Sequence, residues 1–333
     1  MGESIEPLGK AYEKYFRIGS CISKYSLNHQ MGLLHKHFNS YTCENAMKPI
    51  NLQPKPGLFN FKKADKLIEK LKDEGDKIRG HTLVWHNQIP DWFFLDESEN
   101  FVKREELLER MKTHMSNVLQ HYQNRVYCWD VVNEAAADGD NEQIYRKNRW
   151  YQILGEDYVE KAFKFAKEVD SEIKLFYNDY NAVVPHKRDK IYNLLQDMLA
   201  KGVPIDGMGI QGHWNLDFPS LEKLEKAFEK YTSLDLDIHI TELDISVYNS
   251  DDKRTDLKSS TEEMQRKQQK RYREIFRLFR EYSDCISNVT FWGAADDHTW
   301  KDDFPVEGRK DWPLLFDEKQ DPKPALVDII NEA

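Results

Sequence analysis

Apolar residues along the chain follow two alternating rhythms. Short apolar runs, most of them rich in β-branched and aromatic residues, recur at Phe16–Cys21, Phe38–Cys43, Ile78–Trp85, Val126–Val132, Ile173–Tyr177, Gly207–Ile210, Ile238–Asp244 and Val289–Phe291, and each reads as a buried strand. Between them the apolar positions step by three and four. Ala64, Leu67, Ile68 and Leu71 form one such stripe before Gly75, and Leu107, Leu108, Met111, Met115, Val118, Leu119 and Tyr122 form a longer one. Further helices are expected at Met31–Leu34, Val159–Val169, Lys187–Leu199, Pro324–Ile330 and the segment carrying Leu221, Leu224, Phe228 and Tyr231, because this spacing gives a helix one face to bury. Gly75 is suited to end the first long helix and Ser220 to cap the one at Leu221. Ser260 with Glu263 predicts a capping box before a helix through Ile275, Phe276 and Phe279.

Eight strands alternating with helices predict an α/β fold, a single (β/α)8 TIM barrel spanning residues 1–333. An open doubly wound sheet is the runner-up. No Gly-x-Gly-x-x-Gly follows the first strand, and polar residues gather after nearly every strand instead of at one switch point. No fixed-period repeat, low-complexity tract or interdomain linker interrupts the pattern.

Composition narrows the partners. The 58 Asp and Glu against 48 Lys and Arg give a net charge of −10, which argues against a nucleic-acid partner. No apolar run reaches membrane-spanning length, and Met1–Glu6 has neither a basic start nor a hydrophobic segment. The expectation is a cytoplasmic protein with no membrane partner, either monomer or homodimer. Glu6 stands where N-myristoylation at Gly2 would need Ser or Thr. The four cysteines, Cys21, Cys43, Cys128 and Cys285, are far apart and form no Cys-x-x-Cys. They are expected as free thiols, with no sulfur-bound metal and no cofactor.

Barrels of this kind build their sites where strands hand over to helices. The strand at Val126 stops at Asn133-Glu134, and the strand at Ile238 carries Glu242 and Asp244 near its end. Alternation puts Asp130 and Val132 on the face of Glu134, aiming the acid inward and leaving Asp130 near it with no evident partner. Two carboxylates in one pocket suit glycoside hydrolysis, in which one protonates the leaving oxygen and the other attacks or activates water. Trp85, Trp292 and Trp300 offer flat apolar surfaces for sugar rings. Glu44, Asn45, Lys48 and His81 can hydrogen-bond hydroxyls, and Tyr180, Gln211 and His213 lie past the fifth and sixth strands.

Each residue taken singly has a plainer reading. Lys48 can be a snorkelling surface residue, His81 a satisfied core histidine, each tryptophan a packing residue, and Asn133-Glu134 a turn. Two rival classes also stand. A metal-dependent hydrolase would use His81, His86, His213 and His239, yet no His-x-His lies on an early strand and no His-x-x-x-His on a helix. A non-catalytic sugar-binding protein would keep the aromatics and need neither glutamate. His213 and Asp244 are better cast as the partners that keep Glu242 ionised.

Six blocks carry a family resemblance. They are Thr42-Cys43-Glu44-Asn45-Ala46-Met47-Lys48, Arg79-Gly80-His81-Thr82-Leu83-Val84-Trp85-His86, Trp129-Asp130-Val131-Val132-Asn133-Glu134-Ala135, Gly209-Ile210-Gln211-Gly212-His213, Ile240-Thr241-Glu242-Leu243-Asp244 and Phe291-Trp292-Gly293. In this order the chain resembles the family 10 glycoside hydrolases, whose best-known members are endo-β-1,4-xylanases. The resemblance implies hydrolysis of xylan or xylo-oligosaccharides with retention, Glu134 as acid/base and Glu242 as the nucleophile of a covalent glycosyl-enzyme. It assigns Asn133 to the 2-hydroxyl of the sugar being cleaved, and His213 with Asp244 to the support of the nucleophile. Glu44, Asn45, Lys48, His81, Trp85, Gln211, Trp292 and Trp300 fall around the glycone sugars.

Pro49 departs from the family, many of whose members carry an aromatic residue there. The stretch from Asp296 through Arg309 to Asp317 is similar to that of cytosolic members, which trim short imported xylo-oligosaccharides. Arg309 is expected either to reach the site or to pair with the acidic loop around it.

Overall fold

The computed structural model describes residues 5–71 and 75–333. The readings made of Met1–Ser4, and the last residues before Gly75, lie outside them. Nine strands follow in order: β1 Arg17–Ile22, β2 Ser40–Cys43, β3 Lys77–Val84, β4 Cys128–Asn133, β5 Lys174–Asp179, β6 Gly207–Ile210, β7 His213–Asn215, β8 Asp237–Ser246 and β9 Ile286–Phe291. All pairings are parallel. β1 to β6 pair in sequence, β6 pairs β8, β8 pairs β9, and β9 returns to β1, closing an eight-stranded barrel.

The eight expected apolar runs are the eight barrel strands. β7 is an addition to them, three residues that pair with β8 as His213↔Asp244 outside the ring, and it is too short to show a period of two. Helices fill the crossovers. Leu221–Thr232, for example, turns Leu224, Ala227, Phe228 and Tyr231 inward, with the Ser220 side chain accepting from Lys223 N. One expected cap moves by a residue. Thr261 is the N-cap of Glu262–Glu281, its Oγ1 accepting from Met264 N at 3.2 Å, whereas the Ser260 hydroxyl takes the Gln265 side chain. Short helices at Leu8–Ala11, Lys24–His29, Pro49–Leu52 and Arg149–Leu154 carry too few turns for a readable stripe. The ends of the described chain meet where the Tyr12 hydroxyl donates to the Ile329 carbonyl at 2.7 Å.

The barrel interior is polar where it lies beneath the site, and it satisfies itself. Asp130 is fully buried and paired: both its oxygens accept from the Arg79 guanidinium, and His81 Nδ1 lies 2.8 Å from Oδ2. The expectation of an unpartnered Asp130 is therefore overturned. Burial alone would raise its carboxyl, yet the Arg79 charge and the His81 hydrogen bond hold it below the usual range. Arg79 in turn reaches His239 Nδ1 at 3.3 Å and packs over Phe176, on which the His239 ring stacks.

The alternation along β4 also fails, at an identifiable point. Asp130 pairs with Phe176 and Val132 with Tyr177, so two residues of β4 span one of β5 and Val131 is the extra residue of a bulge. After the bulge Asn133 aligns with Asn178, on the face that Asp130 and Phe176 share, while Val132 turns with Tyr177 to the other face. Room for this face comes from β6. A Cβ on Gly207 would lie 2.2 Å from the Phe176 ring, and one on Gly209 would lie 2.4 Å from Asn178 Oδ1.

Candidate active site

The strand ends open into a cleft of about 700 Å³. Glu44, Asn45, Lys48, His81, Trp85, Asn133, Glu134, Tyr180, Gln211, His213, Glu242, Trp292 and Trp300 all line it. Asp244 lies buried beneath, in contact with His213. Residues scattered over some 250 positions of sequence are thus brought together because nearly all lie toward the C-terminal ends of the parallel strands or in the loops that follow them.

Glu134 caps β4 in a left-handed backbone conformation, φ 60°, so the turn, and not strand alternation, aims its side chain. Its Oε2 accepts from Trp85 Nε1 at 3.0 Å and its Oε1 from Gln211 Nε2 at 2.9 Å. His86 Nε2 stands 4.0 Å away. Burial, with the charges of Asp179 and Glu242, raises the Glu134 carboxyl above its ordinary value, outweighing those two hydrogen bonds.

Glu242 has the opposite surroundings. Oε1 accepts from Asn178 Nδ2 at 2.9 Å, and Oε2 lies 3.1 Å from His213 Nε2. Burial works against its ionisation, but the His213 hydrogen bond and the nearby imidazoles hold it below the usual carboxylate range. His213 is itself clamped, Nδ1 lying 2.8 Å from Asp244 Oδ2. Although burial would lower it, Asp244 and Glu242 together push the imidazole up to about 9, so it sits as a cation between two anions. Trp300 Nε1 donates to the same Asp244 oxygen at 2.7 Å, and Lys301 Nζ stands 3.5 Å from the other.

The amides of Asn133, Asn178 and Gln211 stitch the two glutamates together. Asn178 Nδ2 is 2.9 Å from the Asn133 side chain, and Gln211 Nε2 lies within reach of both Asn133 and Glu134. On the wall near β2, Lys48 Nζ donates to Asn45 Oδ1 at 2.9 Å and sits 5.0 Å from the centre of the Trp85 ring. Burial lowers the Lys48 ammonium against the pull of Glu242 and Glu44. Trp292 packs edge-on against His81.

Two expectations change here. Tyr180 lines the cleft, but its hydroxyl donates to Asp138 and takes Arg146 Nη2 at 2.6 Å, so its polar end is committed to the protein. Arg309 lies outside the cleft lining. It donates to the Asp252 carbonyl at 2.8 Å and packs over Tyr248, and so pairs with a backbone oxygen and a ring in place of the site or a carboxylate. The sequence reading gave no role to Asn178, which binds Glu242 directly, nor to Lys301 and Phe304 on the cleft wall. Asn178 was readable as a strand end, whereas Lys301 and Phe304 sit in an irregular loop with no periodic signal.

Known proteins share this arrangement. The profile of Glycosyl hydrolase family 10 matches residues 7–332. The chain belongs to that family. It is a glycoside hydrolase by membership, and it is 51% identical over 332 residues to an endo-1,4-beta-xylanase of Geobacillus stearothermophilus, covering 99% of this chain and 100% of the relative. The structure of xylanase XynB from Paenibacillus barcinonensis, complexed with a conduramine derivative, superposes with a TM-score of 0.96 at 46% identity, over 99% of both chains. A further family neighbour, a mutant in complex with xylotriose, superposes with a TM-score of 0.94 at 46% identity, over 98% of this chain and 99% of that one.

Proposed function

We propose that this family 10 enzyme is a retaining endo-β-1,4-xylanase acting on xylan or xylo-oligosaccharides, with Glu134 as acid/base and Glu242 as nucleophile. The observation that carries the reading is the contrast between two glutamates in one cleft: burial and negative neighbours raise the carboxyl of one, while His213 and Asn178 bind the other and hold it below the usual range. The names of the relatives and the xylotriose complex of a neighbour support the substrate class.

In the first step the Glu242 carboxylate forms a bond to the anomeric carbon as the glycosidic C–O bond breaks, and Glu134 gives its proton to the departing oxygen. The resulting ester removes the Glu242 charge, so Glu134 loses a negative neighbour and its pKa falls. It then takes a proton from water, whose oxygen attacks the anomeric carbon from the vacated side and releases Glu242. Two displacements restore the starting configuration.

Asn133, beside Glu134, is assigned to the 2-hydroxyl of the sugar being cleaved. His213 and Asp244 keep Glu242 charged and oriented. Glu44, Asn45, Lys48, His81, Trp85, Gln211, Trp292 and Trp300 hold the sugars, and Tyr180 offers a ring face. The barrel works as one catalytic domain, a reading supported by its closure across strands from Arg17 to Phe291. A cytosolic site of action is supported by four unpaired cysteines, three of them buried within β1, β2 and β4. Among the described residues no helix is long and apolar enough to cross a membrane.

Glu242→Ala tests the assignment. Turnover of xylo-oligosaccharide should fall on the order of 10⁴- to 10⁶-fold, and azide should restore reaction with an activated aryl xylobioside, yielding the α-glycosyl azide. Full activity in this variant would overturn the assignment.

A further inference from the structure

The left-handed turn at Glu134 must be held by its surroundings, and they are specific. Glu134 N–H donates to the Asn178 carbonyl at 2.8 Å, and Arg146 Nε donates to the Glu134 carbonyl at 3.2 Å. Two residues on, the Ala136 N–H is shared between Tyr177 Oη at 2.9 Å and Asp179 Oδ2 at 3.3 Å, and the Tyr177 hydroxyl donates to that same oxygen at 2.6 Å. Asp179 is fully buried at the end of β5. Its Oδ1 lies 2.9 Å from Lys187 Nζ, which is equally close to Asp138. The Tyr177 hydroxyl alone would satisfy the Ala136 N–H. A buried carboxylate is a costly way to do the same work, which calls for a reason why a charge stands there.

We infer that Asp179 is a positioning residue of the acid/base: through Tyr177 and Ala136 it fixes the turn that aims Glu134, and it places a carboxylate paired with Lys187 behind that side chain. The inference rests on Glu134 being the acid.

The other charged groups facing Glu134 leave this role to Asp179 and Glu242. His86, from the loop after β3, is lowered to about 4 by burial and by Arg146 and Lys187, and is neutral at working pH. Arg146 and Lys187 are each compensated by Asp138, and Lys187 by Asp179 as well. Lys48, across the cleft, interacts more strongly with Glu242 and Glu44 than with Glu134. Burial raises the Asp179 carboxyl against the Lys187 charge and the Tyr177 hydrogen bond, and the ion pair to Lys187 at 2.9 Å is what favours its charged form. During the reaction Glu242 loses its charge to the sugar whereas Asp179 forms no bond to it, so Asp179 contributes to the proton affinity of Glu134 in both steps.

Asp179→Asn keeps the size and an oxygen that can accept from Tyr177 and Ala136, and it removes the charge together with the pairing to Lys187. The measurement is the pH dependence of kcat/KM for xylohexaose and for 2,4-dinitrophenyl β-xylobioside, whose leaving group needs no proton. The basic limb for xylohexaose should move acidward by about one pH unit while the acid limb stays. At neutral pH, kcat/KM for xylohexaose should fall about tenfold more than that for the dinitrophenyl glycoside. Should the single variant not fold, Asp179→Asn with Lys187→Met removes the cation that the amide leaves unpaired, and the basic limb should still move acidward, by less than in the single variant because the Lys187 charge goes too. Superposed basic limbs, or equal losses on both substrates, would overturn the inference, since a merely structural anchor predicts them. Glu134→Gln run alongside distinguishes the two levels: if it retained full activity on xylohexaose, the acid assignment itself would fall.

Discussion

Glu134 and Glu242 are the same side chain in one cleft, and the difference between them lies in what each touches. Glu134 meets an indole N–H and an amide with negative charge behind it, while Glu242 meets an imidazolium and an amide. The signs fix the pH behaviour. Glu242 is depressed, so kcat/KM should fall on the acid side only below the ordinary glutamate value; Glu134 is raised, so activity should persist above that value before the basic limb descends. His213 links activity to stability. Its imidazole rises from the ordinary 6.5 to about 9, so the stability that its proton confers is complete below 6.5 and is lost as pH climbs through 9. His213→Gln should flatten that alkaline loss in denaturant titrations and shift the acid limb of activity upward by about 1–3 pH units. An unmoved acid limb would show that Glu242 does not depend on the imidazolium. The sequence named His213, Asp244 and both glutamates, because each lies in or just past a barrel strand. It missed the pairing of Asp130, since Arg79 and Asp130 lie on neighbouring strands and only their register places them in contact.

At the scale of elements, strand identity was legible and strand detail was not. β4 shows why: its apolar run reads as an unbroken strand, but the bulge at Val131 reverses the alternation beyond it, and Asn133 rather than Val132 joins the inner face. A bulge is set by the neighbouring strand and leaves little trace in composition. The cap of Glu262–Glu281 is a smaller case, since Ser260 and Thr261 are both competent residues and only the backbone selects Thr261. Thr261→Ala should destabilise the fold by about 1 kcal/mol, whereas Ser260→Ala, at an exposed side-chain contact, should change stability by less than about 0.5 kcal/mol. Chemical denaturation of the two variants checks the order. A larger loss for Ser260→Ala would put the cap where the sequence suggested.

For the molecule as a whole, the repeating strand and helix pattern was enough to give the barrel, because each repeat must bury the same two faces. The barrel gave the site, since a parallel ring gathers every strand end at one pole. What periodicity leaves out is the irregular chain after β9, where Trp300 and Lys301 return to Asp244 and where Arg309 turns away toward Asp252. The central claim concerns the outcome at the anomeric carbon, where the two glutamates act in succession. Proton NMR of xylohexaose followed from the first seconds of hydrolysis reads that outcome before mutarotation blurs it. Two displacements predict that the new reducing ends appear first as the β-anomer, with the α-anomer growing in later. Initial release of the α-anomer would contradict the pairing of Glu134 with Glu242 as acid/base and nucleophile.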